Sequence, residues 1–277
     1  DLCPEKESAL MVRPMFLVRL IPIFLLILMS PAGADVLDDA LERGELRVGV
    51  AEFAPWTMRT PKGELVGFEI DVARKLAEDM GLTAAFKVYE WNDIIAALDS
   101  GEIDVIAGGM AITPARALQV NFSRPVAISG VGIAANTEMT GQIKTLADLN
   151  KKNIVITTVT DTLAASVAER LFPGANVKVY PATAAAEAEL LEGRAHAYIA
   201  SMPEAQFLVL KNADRLDLPV SDPLLASSEA LAVRKGEQQL LNFLDAWVTA
   251  RQTDKWLPTT HDYWFGTLEW LPQVNGE

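Results

Sequence analysis

Apolar runs of strand length alternate with segments of helical periodicity, and this alternation restricts the possible folds more than any other feature. Residues 45–51 place an apolar side chain at every second position, as a half-buried strand does. Residues 68–80 repeat one at every fourth position, which predicts a helix, and residues 103–107 read as a buried strand. The same order of patterns returns over residues 153–210. The sequence therefore predicts an α/β fold with parallel strands and helices on both faces.

Each half of this pattern has enough apolar runs for a sheet of about four or five strands. The stretches that join the halves, near residues 126–135 and 216–227, are themselves apolar and strand-like. Two crossings between lobes permit a hinge motion, whereas two domains in series need only one connection. We therefore expect two lobes that open and close around a cleft.

The N-terminal region has the three parts of a secretory signal peptide. Arg13 and Arg19 give it a basic flank, and residues 20–29 form an apolar run. The small residues Ala32 and Ala34 then complete a cleavage site. The alternative is an uncleaved membrane anchor, but the apolar run is shorter than a bilayer span requires. We expect cleavage after Ala34 and export of the remainder.

Charge and residue usage exclude several classes of function. The formal net charge is −13, which disfavours partners that need basic patches, such as nucleic acid or anionic lipid. Cys3 lies before the predicted cleavage site, so the mature chain has no thiol for disulfides, nucleophilic catalysis or metal binding. His196 and His261 are isolated and not spaced as metal ligands. We therefore expect neither a metal nor a cofactor.

Residues 130–135 match the dinucleotide-binding pattern G-x-G-x-x-A, but no helical pattern opens at the second glycine. We therefore interpret this stretch as a hinge strand. A serine nucleophile in a G-x-S-x-G turn is also absent from the sequence.

The loop after the strand at 103–107 is the strongest candidate for a ligand site, because ligands of such sheets bind at the carboxyl ends of strands. Gly108 and Gly109 let a ligand approach the backbone, and Thr113 with Pro114 begins a helical turn. Free N–H groups of that turn and the fork of Arg116 would together suit an anion. The alternative for Arg116 is a solvated surface charge.

Two aromatic residues, Phe53 and Trp91, stand at predicted strand ends rather than within an apolar face. Either they pack in the core, or they clamp an apolar or cationic part of a ligand.

Six segments, taken in order, resemble the extracellular solute-binding proteins that serve polar amino-acid ABC importers. They are GELRVGV at 44–50, FAPW at 53–56, GFEIDVA at 67–73, LDSGEID at 98–104, ITPAR at 112–116 and VNFSRP at 120–125. The resemblance covers essentially all of the chain after the signal peptide. Its first half matches better than its second half.

This resemblance implies a type II periplasmic binding protein fold: two α/β lobes, each a mostly parallel sheet flanked by helices, joined by two hinge strands. After a signal segment at 1–34, the first lobe would comprise residues 35–127 plus 225–277, and the second lobe residues 128–224. The ligand would lie in the cleft between them.

The resemblance also assigns roles in the first lobe. Phe53 would lie over the ligand, Trp91 would contact its side chain, and Gly109, next to Met110, would offer a backbone carbonyl to its ammonium group. Arg116 would bind the α-carboxylate.

In the second lobe, Thr160 and Asp161 fall on the loop that closes over the carboxylate. Ser201, however, stands where the family usually has an aspartate that pairs with the α-ammonium group, and Ala111 replaces a hydroxyl residue that helps to hold it. Burying an ammonium group without a charged partner is costly. Either the ligand lacks this group, or another acid replaces the aspartate. Asp161 is the first candidate, because we expect Glu204 on the exposed side of its helix.

The leading hypothesis is a monomeric periplasmic receptor that closes on a small carboxylate or amino acid and docks on an inner-membrane ABC permease. One alternative is an enzyme on the same scaffold, similar to a cyclohexadienyl-type dehydratase, with Asp161, Glu90 or Glu52 as general acid. Another is a soluble ligand sensor for a membrane kinase, which differs only in its partner.

Overall fold

The computed structural model describes residues 35–275. The predicted signal peptide lies outside the described residues. No helix within the described range has the length and apolarity of a membrane span. The strands in this range are β1 (Glu45–Val50), β2 (Met58–Arg59), β3 (Leu65–Val66), β4 (Thr83–Val88), β5 (Val105–Ile106), β6 (Val120–Asn136), β7 (Val155–Val159), β8 (Asn176–Tyr180), β9 (Ala197–Ser201), β10 (Leu216–Asp217) and β11 (Leu225–Arg234).

The helices alternate with these strands, as the sequence patterns predict. They are α1 (Val36–Arg43), α2 (Phe68–Asp79), α3 (Ile94–Asp99), α4 (Pro114–Ala117), α5 (Thr137–Thr140), α6 (Leu163–Leu171), α7 (Thr183–Leu191), α8 (Met202–Lys211), α9 (Gln238–Thr253), α10 (Trp256–His261) and α11 (Leu271–Asn275). Short 3-10 turns at Trp91–Asp93 and Leu146–Leu149 and a π turn at Asp262–Gly266 complete the regular structure.

The strands form two parallel groups, one in each lobe. In the first lobe β1 pairs in parallel with β4 and β5, and in the second lobe β7 pairs in parallel with β8 and β9. Helices cover these groups, with α2 and α3 against the first and α6 and α7 against the second. The fold is therefore α/β with two lobes, as predicted.

The two groups are nevertheless joined in one hydrogen-bonded ladder, which we did not predict. Its order is β4-β1-β5-β11-β6-β9-β7-β8. The long strands β6 and β11 pair in antiparallel from Leu225 with Val131 to Arg234 with Val120. They run from one lobe to the other and are the two hinge strands. A bulge near Glu229 and Ala230 interrupts their register.

Each lobe has its own apolar core. In the first lobe, Phe68 and Leu76 of α2 pack with Leu244 of α9, and in the second, Val167 of α6 packs on Ile156 of β7. The two cores explain why closure of the cleft need not disturb either lobe internally.

Tryptophans attach the C-terminal segment to the first lobe. The indole N–H groups of Trp247 and Trp264 donate to Asp79 and Asp71 at 2.8 and 2.7 Å, and both carboxylates belong to α2. The terminal helices are thereby fixed beside the first lobe.

The G-x-G-x-x-A stretch lies inside β6 and is a hinge strand, as interpreted from the sequence. At Gly130 a side chain would collide with Pro223 and with the carbonyl of Leu225, and at Gly132 it would collide with Met202. These glycines therefore permit close strand packing.

Candidate functional site

A cavity of about 510 Å³ lies between the lobes, where the carboxyl ends of the strands meet, and its size is typical of a small-molecule site. Residues of both lobes and of the hinge strands line it. They include Phe53, Trp91, Gly109, Ala111 and Arg116 of the first lobe, Thr162, Leu163, Ala164, Tyr198, Ser201 and Glu204 of the second, and Gly130, Val131, Ser227 and Glu229 of the hinge strands.

Arg116 lies in the short helix α4, which begins as the sequence predicts. Thr113 caps the helix by accepting the Arg116 backbone N–H at 3.2 Å, and Pro114 occupies its first position. That N–H group is therefore not available to a ligand, although we expected the turn to leave its N–H groups free. The guanidinium is the group that faces the cavity.

The Arg116 side chain is only 8% exposed and reaches across the cleft. It donates to the carbonyl of Ala111 at 3.0 Å and to the carbonyl of Asp161, in the second lobe, at 2.8 Å. Its guanidinium carbon lies 5.2 Å from the centre of the Trp91 ring. Burial lowers its pKa to about 10, so it keeps its charge at neutral pH. Because these bonds use two of its five N–H donors, the fork can still bind an anion.

The N-terminus of α6 faces the same cavity, since Thr162, Leu163 and Ala164 line it. Thr162 caps the helix by accepting the Ala165 N–H at 3.0 Å. A helix N-terminus favours negative charge, so this end of the cavity suits a carboxylate from both lobes.

The aromatic residues predicted at the site stand together. The rings of Phe53 and Trp91 meet edge to face with centroids 5.8 Å apart, and the Trp91 indole N–H donates to the Asp161 carbonyl at 3.1 Å. Gly109 has a φ of 58° and sits against Trp56, whose ring a side chain there would approach to 2.9 Å. This turn therefore needs glycine.

Trp56 has a role that we did not predict from the sequence. Its ring is buried, and its indole N–H donates across the cleft to the Ser201 hydroxyl at 3.2 Å. With the bonds from Arg116 and Trp91 to Asp161, three hydrogen bonds join the lobes here. The structure is therefore a closed arrangement of the cleft.

The remaining predicted site residues are placed differently. Met110 is buried with Ile94 and Ile103 in the first-lobe core rather than in the cavity wall. Thr160 donates its backbone N–H to the Tyr180 carbonyl at 2.9 Å. Asp161 has a φ of 58° and an exposed side chain, and it meets the other lobe through its carbonyl oxygen.

Glu204 corrects the sequence interpretation, which placed it on the exposed side of α8. It is 6% exposed and lines the cavity. One carboxylate oxygen accepts from the Tyr198 hydroxyl, and the other lies 3.4 Å from the Ser201 hydroxyl. Burial, reinforced by nearby Glu187, raises its pKa to about 8. The first turn of α8 packs against the strands, a contact that the sequence pattern did not reveal because apolar residues occupy several faces of this helix.

A second buried carboxyl, Glu229 on β11, also lines the cavity and is 3% exposed. Ser227 donates its hydroxyl to one carboxylate oxygen. Among the described residues, the other oxygen is buried and has no hydrogen-bond partner. Burial raises the pKa of this carboxyl to about 7. A lone glutamate directly before the apolar run 230–233 was a signal that the sequence analysis could have used.

Glu69 on α2 lies behind the cavity wall. Its side chain is fully buried and accepts the Gly109 backbone N–H at 2.7 Å, which fixes the glycine turn. Burial raises its pKa to about 8, and the charge of Glu229 adds to the shift. Its spacing from Val72 and Leu76 places it on the buried face of the helix, which the sequence could have shown.

The charged lining of the cavity is mainly acidic. Besides Glu204 and Glu229 it includes Glu52 and Glu90, and Arg116 is the single cation among the described residues that line the cavity. Glu52 is half-exposed and pairs with Arg59 at 2.6 Å, so it contributes little. The cavity therefore combines one anion site with several carboxyl groups. Because a bound cation favours the ionised form of a carboxyl group, this lining suits a ligand that also carries positive charge. Within residues 35–275, no cluster of three potential metal ligands is present.

The chain is similar in sequence to known proteins. Residues 46–267 match the model of the bacterial extracellular solute-binding proteins, family 3. The chain is 30% identical over 241 residues to the L-cystine-binding protein TcyJ of Escherichia coli, covering 86% of this chain and 88% of that protein.

Two solved structures are also similar. An ancestral amino acid-binding protein, described as a precursor of cyclohexadienyl dehydratase, matches with a TM-score of 0.76 and 30% identity over 84% of this chain and all of that one. An ancestral arginine-binding protein bound to arginine matches with a TM-score of 0.75 and 31% identity over 81% and 99%.

Proposed function

Because the chain belongs to the bacterial extracellular solute-binding proteins of family 3, we propose that it is the periplasmic receptor of an ABC importer for an amino acid. The observation that carries this proposal is the buried Arg116, which has unused donors in a closed interlobe cavity whose other charged groups are carboxyls. Such a cavity matches the opposite charges of an amino acid.

The α-carboxylate binds at Arg116 and the N-terminus of α6, which belong to different lobes. The ligand therefore bridges the cleft and favours the closed state over the open one. We take the moving bodies to be residues 35–127 with 225–277 and residues 128–224, because the hinge strands β6 and β11 connect them. Phe53 and Trp91 hold the apolar or cationic part of the ligand.

The acidic lining favours amino acids with additional positive charge over acidic ones. This agrees with the arginine bound by one structural neighbour, and the size of the cavity also accommodates a longer amino acid such as cystine, the ligand named for the relative in Escherichia coli. The partner is then an inner-membrane permease, which binds the closed form of a monomeric receptor. A sensor for a membrane kinase would use the same cleft, and stimulation of transport in reconstituted vesicles distinguishes the two roles.

Thermal unfolding of the ligand-stripped protein tests this proposal. The probes are L-arginine, L-lysine, L-cystine, L-leucine and L-glutamate. A ligand at about 100 times its Kd stabilises the folded protein by about 2.7 kcal/mol, which is a measurable shift. We expect the largest shift with one of the first three and none with L-glutamate. If no amino acid shifts the midpoint, the proposal is wrong.

Two cleft carboxyls with raised pKa values, Glu204 and Glu229, give the enzyme alternative a specific basis, because a protonated carboxyl can serve as a general acid. One structural neighbour is described as a precursor of a dehydratase. We expect binding without turnover, since relatives such as TcyJ of Escherichia coli are binding proteins. Incubation with prephenate, a cyclohexadienol carboxylate, distinguishes a dehydratase from a binding protein. An increase in ultraviolet absorbance from an aromatic product would show that the protein is an enzyme.

A further inference from the structure

We propose that Glu229 of hinge strand β11 binds the α-ammonium group of the ligand and replaces the two partners that Ser201 and Ala111 do not supply. This inference rests on the proposed function, because it requires an amino acid whose carboxylate is at Arg116. It assigns the cation subsite to the hinge rather than to the second lobe.

The backbone places Glu229 beside Ala111. The two residues form an isolated antiparallel bridge, flanked by hydrogen bonds from Ile112 N–H to the Ser228 carbonyl at 2.9 Å and from Ala230 N–H to the Met110 carbonyl at 3.2 Å. This pattern makes Ala111 and Glu229 a non-hydrogen-bonded pair, in which Cα atoms are about 4.5 Å apart and side chains project to the same face. The small methyl group of Ala111 therefore leaves room for the longer glutamate.

The surroundings of the Glu229 carboxyl group suit a bound cation. Ser227 holds one oxygen, and the other is buried without a partner among the described residues. A buried carboxylate oxygen without a partner is costly, and an ammonium group in the cavity would satisfy both its charge and its hydrogen-bonding capacity.

The position also fits the dimensions of an amino acid. Arg116 donates to the carbonyl of Ala111, so the carboxylate site and Glu229 lie on either side of a single residue. The α-carboxylate and α-ammonium groups share one carbon atom and must be bound by adjacent protein groups. Because Arg116 and Glu229 both adjoin Ala111, we infer that one α-amino acid contacts both.

The other acids fit less well. Asp161 is exposed, and the hydrogen bonds that Arg116 and Trp91 donate to it go to its backbone carbonyl. Both oxygens of Glu204 already face hydroxyl groups, those of Tyr198 and Ser201.

The test compares each amino acid with the carboxylate that lacks only its α-amino group. The pairs are L-arginine with 5-guanidinopentanoate, L-lysine with 6-aminohexanoate and L-cystine with 3,3′-dithiodipropionate. By calorimetry we expect the wild type to bind the preferred amino acid at least about 100-fold more tightly than its counterpart. In Glu229→Gln this preference should fall below about threefold, mainly through weaker binding of the amino acid.

Glu169→Gln, an exposed change on α6 that removes the same charge, is the matched control and should keep the full preference. If Glu229→Gln also keeps it, the inference is wrong while the proposed function stands. If the wild type binds none of the amino acids, the proposed function fails and the inference fails with it.

A measurement on the wild type keeps the inference testable should the variant fold poorly. In the free protein, burial raises the pKa of Glu229 to about 7. The other titratable or charged groups nearby are Glu69 of α2, whose own pKa burial raises to about 8, and Arg116, which lines the same cavity. A bound ammonium group lowers that pKa, so binding near pH 7 releases a proton, and affinity weakens as the pH falls below 7. Calorimetry in two buffers of different ionisation enthalpy should detect this release with the amino acid and not with its deaminated counterpart. Equal release with both would contradict the inference.

Discussion

The two walls of the cleft differ in how they recognise charge. The first-lobe wall carries Phe53, Trp91 and Arg116, which are the residues that its resemblance to amino-acid receptors predicts. The second-lobe wall carries Ser201, where the same resemblance implies an aspartate, and buries Glu204, while the hinge between them contributes Glu229. On our proposal the carboxylate partner and the ammonium partner of the ligand stand on different elements, so that a change in one need not change the other.

Removing Arg116 from the first-lobe wall has the largest expected effect on amino-acid affinity. Arg116→Ala should weaken amino-acid binding at least about 100-fold, because it leaves a buried carboxylate without its charged partner. Arg116→Lys should recover only part of the affinity, since an ammonium group lacks the planar fork.

Calorimetry with the preferred amino acid measures this effect. The exposed Arg170→Ala on α6 removes the same type of charge and should bind normally. An Arg116→Ala protein that binds within a few fold of the wild type would show that the first-lobe wall is not the carboxylate site.

A carboxylate introduced at position 201 of the second lobe tests whether positions 201 and 229 serve the same group of the ligand. In the Glu229→Gln background, Ser201→Asp should raise the affinity for the amino acid about tenfold, because it places a carboxylate where the resemblance to amino-acid receptors implies one. Aspartate can also cap α8, as Ser201 does. Absence of any recovery in a folded double variant would show that positions 201 and 229 do not serve the same ammonium group.

Removing the hydrogen bond between Trp56 and Ser201, which joins the two walls, should have a smaller effect on affinity. Trp56→Phe removes the indole donor to Ser201 and keeps most of the ring packing, so the closed state should lose one hydrogen bond and affinity should fall about three- to tenfold. Trp247→Phe removes a similar bond, to Asp79, far from the cleft. It should lower the unfolding temperature without changing affinity, and equal losses of affinity in both variants would contradict a specific role for Trp56.

The smallest effect is expected at Asp161. Asparagine tolerates the positive φ of this residue and keeps the carbonyl that receives Arg116 and Trp91. Asp161→Asn should therefore change affinity less than about twofold, as measured by titration calorimetry. A tenfold loss would instead make Asp161 the partner of the cation, which was the first expectation from the sequence.

The sequence predicted the fold class and the first-lobe wall because their signals are local. The helix α2 is visible in the four-residue spacing of 68–80, and Arg116 follows a glycine turn at the end of a buried strand. The exception is Met110, which the same loop turns into the core.

The remaining features of the site and of the fold depend on contacts between residues far apart in the chain, which a single sequence does not show. Glu229 meets Ala111 through a bridge between residues that are far apart in the chain, and Trp56 meets Ser201 only when the lobes close. Glu204 was misplaced because apolar residues occupy several faces of α8, so that the sequence pattern does not identify its buried face. The joining of both sheets into one ladder likewise requires the pairing of β6 with β11.

The most direct test of the account is a crystal structure of residues 35–277 with the amino acid that gives the largest thermal shift. We predict the α-carboxylate on the Arg116 guanidinium and the α-ammonium nitrogen within about 3 Å of a Glu229 carboxylate oxygen, between closed lobes. A ligand whose ammonium group contacts Asp161 or Glu204 instead, or one bound outside the cleft, would contradict the assignment of the cation subsite to the hinge.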